Sequence, residues 1–238
     1  MGGGDGRDEH SQRDDLELSA HLDGDETGSV TTTAARALPL PELTVADVSD
    51  WRKWLGKHHA DTAGVRLVLS KKGAMEPTRL TYAEALEEAL SYGWIDGQGN
   101  RRDDATYLVR FTPRRKHSVW SKRNTQIAER LIEEGRMHAA GVAEIERAKA
   151  DGRWDAAYPG SKDIEVPDDL AVALGAAPAA KTTFATLSAV NRYAVLYRIH
   201  AAKRPETRAR RIEQLVAMLA RGETIYAQRI DPGLTVER

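Results

Sequence analysis

Between Arg110 and Asn124 the chain runs Arg-Phe-Thr-Pro-Arg-Arg-Lys-His-Ser-Val-Trp-Ser-Lys-Arg-Asn, residue types suited to capturing an anion. Arg110, Arg114, Arg115, Lys116, Lys122 and Arg123 supply fixed positive charge with no acidic residue among them, and Phe111 and Trp120 stand between them. A guanidinium fork can hold carboxylate or phosphate through two N–H groups at once, and an indole can stack on a ring. A strand ending at Pro113 would deliver Arg114 and Arg115 beside a helix start near Ser121. The free amides and dipole of such a start already favour negative charge. Just upstream, Gly93-Trp94-Ile95-Asp96-Gly97 combines glycines, a buried-type aromatic and a lone carboxylate. The expected ligand-binding set is therefore Trp94, Asp96, Arg110, Arg114, Ser118, Trp120, Ser121 and Asn124, with no residue assigned to catalysis.

Each member also has a plainer use. The cations could be solvated, or paired with Asp103, Asp104 or the acidic N-terminal segment. Asp96-Gly97 reads as a turn, the commonest use of that dipeptide, and Gly93 to Gly99 lacks the Gly-Lys-Ser/Thr ending of a phosphate loop. Ser118 and Ser121 suit helix capping better than nucleophilic catalysis, because neither sits in a Gly-x-Ser-x-Gly elbow beside His117. His58-His59 has no partner one helical turn away, so no metal site is expected. No cofactor is expected either. Arg204, Arg208 and Arg211 could form a second basic stripe on the last helix, or be ordinary surface arginines.

The elements that must position these residues follow from periodicity. Asp50 is expected to cap a helix that buries Trp51, Trp54 and Leu55, and Val65 to Leu69 reads as a strand. Thr81-Tyr82-Ala83-Glu84 is a capping box; its helix buries Tyr82, Ala85, Leu86, Ala89 and Leu90 and ends at Gly93. Ile95-Asp96 and Tyr107 to Thr112 form two strands joined by a polar loop from Gly97 to Ala105. In the second, Tyr107, Val109 and Phe111 alternate with Leu108, Arg110 and Thr112, and Pro113 ends the ladder. Helices follow, with Ile127, Leu131 and Ile132, then Val142, Ile145 and Ala148, facing inward. Asp168 caps another short helix, Phe184, Leu187, Tyr193, Leu196 and Ile199 mark two more, and Pro205 opens a last one burying Ile212, Leu215, Val216 and Leu219.

The fold class is α+β: a small N-terminal α/β part with a short antiparallel sheet, then an all-helical C-terminal half. Residues 1–37, rich in Gly, Asp, Glu, Ser and Thr, form a disordered acidic tail. Residues 38–120 form the α+β domain, 121–222 the helical domain, and 223–238 a flexible tail.

Bulk properties narrow the function classes. The 238 residues carry 35 Lys+Arg against 36 Asp+Glu, so the basic stretch is a local patch on a neutral protein. That disfavours general coating of nucleic acid. There is no cysteine, which removes disulfides, thiolate chemistry and Cys-based zinc sites. No apolar run is long enough for membrane insertion, and the N-terminus lacks the pattern of a secretion signal. Cytoplasmic residence is expected.

A wider pattern joins these motifs. Trp54-Leu55, Lys71-Lys72, Leu80-Thr81-Tyr82-x-Glu84-Ala85 and Gly93-Trp94-Ile95-Asp96-Gly97 are followed by Phe111-Thr112-Pro113-Arg114 and Ser118-x-Trp120-Ser121-x-x-Asn124. Gly135-Arg136-Met137 with Gly141, Ala148-Lys149, Asp151-Gly152-Arg153-Trp154, Pro167-x-Asp169-Leu170 and Thr207-Arg208-x-x-Arg211-Ile212 complete it. Over residues 40–222 the chain resembles the YdeI/OmpD-associated family, also called OmdA-like or bacteriocin-protection. The resemblance implies a bacterial protein tied to protection against bacteriocins or cationic peptides, with an envelope or porin-related protein as partner. It implies no agreed activity and no catalytic residue.

The leading expectation is a stress- or toxin-protection factor that binds an anionic small molecule through the Arg/Trp/Ser cluster. Two rivals stand beside it. One is an enzyme with Asp96 or His117 as general acid/base and arginines steadying developing negative charge. The other is a nucleic-acid binder, the least favoured given the balanced charge.

Overall fold

The structure, a computed structural model, describes residues 39–228; the expected acidic tail at 1–37 and the end of the C-terminal tail lie outside them. The chain divides after Tyr158 into two compact units, rather than after Trp120. The helices that follow the basic stretch carry Ala128, Leu131, Ile145 and Ala148 into the same core as the sheet, which keeps them in the first unit.

In the first unit, β1 (Glu42–Leu43) precedes helix α1 (Val48–His58), β2 (Val65–Ser70) and helix α2 (Tyr82–Ser91). Then come β3 (Trp94–Arg101), β4 (Thr106–Pro113), α3 (Lys122–Glu133) and α4 (Ala139–Ala150). The strands form one sheet in the order β1-β2-β4-β3, with β1 parallel to β2 and the other pairs antiparallel. The α+β class is as expected, with the sheet mixed through its short parallel edge.

Local sequence explains most boundaries. Thr81 accepts the Glu84 amide while Glu84 accepts the Thr81 amide, so the two residues satisfy each other's free donors at the start of α2. Gly93 ends the helix at φ +75°, a conformation that costs little without a Cβ. In β4 the alternation holds: Val109 and Phe111 are buried, Tyr107 is partly buried, and Arg110 is exposed.

Other boundaries moved. Asp47, not Asp50, caps α1, accepting the amides of Ser49 and Asp50 while Asp50 occupies the first turn. The Gly97-to-Ala105 loop shrinks, because β3 continues to Arg101 after a register shift between Asp96 and Gly99. Asp96-Gly97 is thus strand, not turn. Ile132 and Val142 are exposed, because the inward faces of α3 and α4 are completed by small or polar residues instead: Asn124, Thr125 and Ala128 on α3, and Gly141 and Glu144 on α4. Gly141 lets α4 approach the end of α2 closely; a Cβ there would stand 2.3 Å from the Ser91 carbonyl oxygen.

The core of this unit is aromatic. Trp51 meets Trp54, Trp94 and Phe111 with ring centroids 5.3, 6.3 and 5.8 Å away, and such contacts contribute about 0.5–1.5 kcal/mol per pair beyond area burial. A buried carboxylate, Glu88, ties α1 to the turn after α3 by accepting from Arg52 and Arg136.

The second unit holds α5 (Asp168–Gly175), α6 (Pro178–Ala185), α7 (Ala189–His200) and α8 (Pro205–Ala220). Its core is Leu170, Leu174, Phe184, Val195, Leu196, Ile199, Ile212, Leu215 and Leu219, with Leu187 and Val216 packed against it. Pro167 takes the cap position of α5 and Asp168 is its first residue, so the helix starts one residue earlier than expected. The segment after Gly222 is partly docked: Asn191 on α7 donates to the Tyr226 carbonyl and Gln228, and accepts the Tyr226 amide. Residues 223–228 of the tail expected to be flexible thus include docked positions, and the rest of that tail lies outside the described residues. Among the described residues no helix is long and apolar enough to cross a membrane.

Candidate functional site

Strand β4 ends at Pro113, paired with Trp94, and the Arg114 amide donates to the Gly93 carbonyl. This fixes the start of β3 against the end of β4 and sends Arg114 inward. Only 6% of Arg114 is exposed, which is rare for an arginine. Its guanidinium lies over the Trp120 ring, 3.5 Å from the centroid, and one nitrogen, Nη1, donates to the Val119 carbonyl at 3.1 Å. Nε and Nη2 are buried and have no hydrogen-bond partner among the described residues, and the same holds for Trp120 Nε1. Burial pulls the Arg114 guanidinium down to about 9, against the opposing attraction of Asp96.

Asp96 stands on β3 beyond Trp94. It keeps partial solvent access and accepts the Tyr82 hydroxyl at 2.7 Å on Oδ2. Desolvation pushes its carboxyl above the usual carboxylate range; the Tyr82 hydrogen bond and the charges of Arg114 and Arg123 pull it back. Arg123, in the first turn of α3, places its guanidinium 5.5 Å from the Tyr82 ring centroid. The geometry is a carboxylate and two guanidinium groups sharing one electrostatic neighbourhood. Arg114 does not bond to the carboxylate it is drawn to.

The remaining expected residues separate by use. Trp94 is 1% exposed and donates from Nε1 to the His59 carbonyl, inside the aromatic core. Ser118 accepts the Arg115 amide in the turn before Trp120, and Ser121 caps α3 by accepting the Asn124 amide. Both hydroxyls thus hold the backbone that presents Arg114 and Trp120. Asn124 is buried one turn into α3. Arg110 is exposed, and its guanidinium lies over Gly97, where a Cβ would come within 2.8 Å of Nε. Arg115, Lys116, Lys122 and His117 are exposed. The structure therefore brings together Asp96, Arg114 and Trp120, and adds Tyr82 and Arg123 to them. Arg123 stood in the basic stretch. Tyr82 was legible only as a core residue of α2, since a hydroxyl at a helix start gives no sign of which carboxylate it will meet.

Two further arrangements hold this corner. Arg153 donates to the Ser118 carbonyl and pairs with Asp151, so the Asp151-Gly152-Arg153-Trp154 motif braces the turn from the far end of α4. Trp154 packs on Trp120 with centroids 4.8 Å apart, and the Tyr158 amide donates to the Trp120 carbonyl. Among the described residues no cluster of His, Cys, Asp or Glu could hold a metal ion.

In the second unit, Asp169 and Arg208 form a two-point ion pair, Nε to Oδ2 at 2.6 Å and Nη2 to Oδ1 at 3.0 Å, which ties α5 to α8. Arg208 also donates to the Ile199 carbonyl and Arg211 to the Arg198 carbonyl. These arginines of the expected basic stripe hold helices together. An apolar groove of about 810 Å³ runs beside this pair, lined by Ala173, Ala177, Ile212, Val216 and Ala220 among others.

Comparison with known proteins divides the chain in the same way. Residues 43–144 match the model of a Domain of unknown function (DUF8412), and this stretch contains Asp96, Arg114 and Trp120. The resemblance drawn over residues 40–222 thus falls on two models, and only its last part lies in the second. Neither the curated proteins nor the solved structures gave a match. Residues 163–222, including the Asp169–Arg208 pair, match the model described as Bacteriocin-protection, YdeI or OmpD-Associated, and carry a domain of that OmdA family.

Proposed function

We propose that the first unit binds a small anionic molecule at Arg114 and Trp120, and that the protein serves in protection against a toxin or stress. One observation carries the binding proposal: Arg114 Nε and Nη2 are buried and unpaired. A buried donor left unsatisfied costs about 1–3 kcal/mol, and more when charged. A carboxylate or phosphate oxygen pair would accept both N–H groups together, with Trp120 Nε1 as a further donor. The protective role rests on the OmdA match of the second unit. An envelope or porin-related partner and a cytoplasmic location belong to the same proposal.

A thermal-shift screen of carboxylates, phosphates and nucleotides tests the binding. The expected result is stabilisation by at least one acid in the wild type and none in Arg114→Met. A response that persists in Arg114→Met would place the ligand elsewhere.

The enzyme reading is the second, and one observation favours it. Asp96 accepts from Tyr82, and burial raises its carboxyl above the usual carboxylate range, the direction a general acid needs. His117, the other candidate, is exposed. Turnover of a bound acid that disappears in Asp96→Asn, with binding retained, would move the assignment from binding protein to enzyme.

A further inference from the structure

The described residues and the segment that precedes them carry opposite charge. Residues 39–228 hold 30 Lys and Arg against 25 Asp and Glu, whereas residues 1–38 hold nine acidic side chains and three basic ones. The acids are concentrated. Asp14, Asp15, Glu17, Asp23, Asp25 and Glu26 fall within residues 14–26, with no lysine or arginine among them and with Leu16, Leu18 and Leu22 in between.

Many cations of the first unit already meet carboxylates, as Arg52, Arg102, Arg130, Arg136 and Arg153 do. Arg115, Lys116 and Lys122 differ. They are exposed, and among the described residues their side chains have no ion-pair or hydrogen-bond partner. They stand in the turn after β4 and at the first position of α3, on either side of Val119, an apolar side chain left 58% exposed. Asp151, whose charge interacts with His117 in this turn, is itself engaged by Arg153.

Chain topology brings the two regions together. β1 runs parallel to β2, with Glu42 beside Arg66, and β2 runs antiparallel to β4, with Val65 beside Phe111. The chain therefore enters β1 at the end of the sheet where β4 leaves it. Leu40 is fixed at that end, its carbonyl accepting from Arg66. Two strand spacings of about 4.8 Å separate β1 from β4, and the stretch from Glu26 to Pro39 reaches at most about 45 Å when extended. The acidic segment is thus tethered within reach of the turn, so its binding there is intramolecular, at an effective concentration of the mM order.

We propose that residues 14–26 dock on the surface formed by Arg115, Lys116, Val119 and Lys122, with carboxylates on the cations and leucine side chains on Val119. The tail then occupies this surface ahead of any external anion. Lys203, Arg204 and Arg210 of the second unit are exposed as well and form the rival landing site. The proposal stands apart from the ligand proposed for Arg114.

The absence of cysteine gives a direct test. Ser19→Cys in the full chain carries a single nitroxide spin label within the acidic segment, and the backbone amide NMR signals it broadens show where that segment rests. The expected result at low salt is broadening concentrated on residues 115–122, lost at about 1 M salt, where the screening length falls to about 3 Å. Neutralising the segment through Asp14→Asn, Asp15→Asn, Glu17→Gln, Asp23→Asn, Asp25→Asn and Glu26→Gln should abolish it. Lys116→Glu with Lys122→Glu should do the same, and an unchanged amide spectrum away from the loop reports that this variant is folded. Uniform broadening, no broadening, or broadening concentrated on Lys203 to Arg211 would overturn the proposal. So would broadening that survives either set of substitutions. Equal broadening of isotope-labelled, spin-free chains mixed with spin-labelled ones would overturn it too, since the segment would then dock between molecules.

Discussion

Arg114→Met should make the ligand-free protein more stable while abolishing anion binding. Burial pulls the Arg114 guanidinium down to about 9, which corresponds to roughly 4–5 kcal/mol against the charged form. With only 6% of the residue exposed, solvent does little to screen this. Substitution also removes favourable contacts. The charge-assisted bond to the Val119 carbonyl contributes about 1.5–3 kcal/mol, and the stacking on Trp120, desolvated here, about 2, of which a methionine sulfur–aromatic contact replaces about 1. Methionine retains much of the packing against the indole. The difference leaves a net stabilisation of about 1–2 kcal/mol, or a rise in Tm of about 2–8 °C for domains of this size. Urea unfolding followed by tryptophan fluorescence reads it, with the slope checked for constancy. A variant less stable than wild type by 2 kcal/mol or more would refute the reasoning, since it would mean that the buried charge is already compensated.

Glu88 is buried between Arg52 and Arg136. Desolvation raises its carboxyl, but the two arginine hydrogen bonds outweigh it and hold the group below the usual glutamate range. Its contribution is therefore present at neutral pH and lost as pH falls through that depressed value. Glu88→Gln should cost about 1–3 kcal/mol at pH 7, discounted because Arg52 is half exposed, and should flatten acid unfolding followed by circular dichroism. Gly141→Ala should destabilise by about 1–3 kcal/mol or more, because its Cβ would meet the backbone of Ser91 at 2.3 Å rather than a side chain that can turn away; thermal unfolding reads this. Thr81→Ala removes the reciprocal cap of α2 and should cost about 1–2 kcal/mol in the same assay.

What the sequence disclosed was whatever depends on neighbours along the chain. The Thr81–Glu84 cap, the Gly93 stop, the β4 alternation and the Ser121 cap all follow from residues within a few positions of one another. The failures share a different cause. Asp50 and Asp47 are equally good caps in isolation, and only the geometry of the entering chain selects Asp47. Asp96-Gly97 has the composition of a turn, but pairing with Phe111 across the sheet holds Asp96 in a strand. Ile132 and Val142 have apolar side chains and sit at exposed positions, because Asn124, Ala128, Gly141 and Glu144 occupy the contacts. In the site, the basic stretch was visible as charge. Which of its cations would be buried was not, since that depends on Trp120, Gly93 and Val119 meeting around one side chain.

The boundary between the units also bears on what the family match can say. The OmdA model covers residues 163–222, all within the second unit. There the Asp169–Arg208 pair accounts for two of the residues that carry the resemblance by a structural role, tying α5 to α8. Arg114, with its two unpaired buried nitrogens, lies in the first unit, inside the stretch that matches a domain of unknown function. The protective role proposed from the OmdA match therefore assigns no ligand to Arg114, and a ligand found at Arg114 would not by itself explain the proposed protection. The link between them has to be tested as a coupling. Substitution of Arg114 must weaken protection although the second unit is untouched. If protection survives Arg114→Met at normal protein levels, the anion site and the protective role are separate functions carried on one chain.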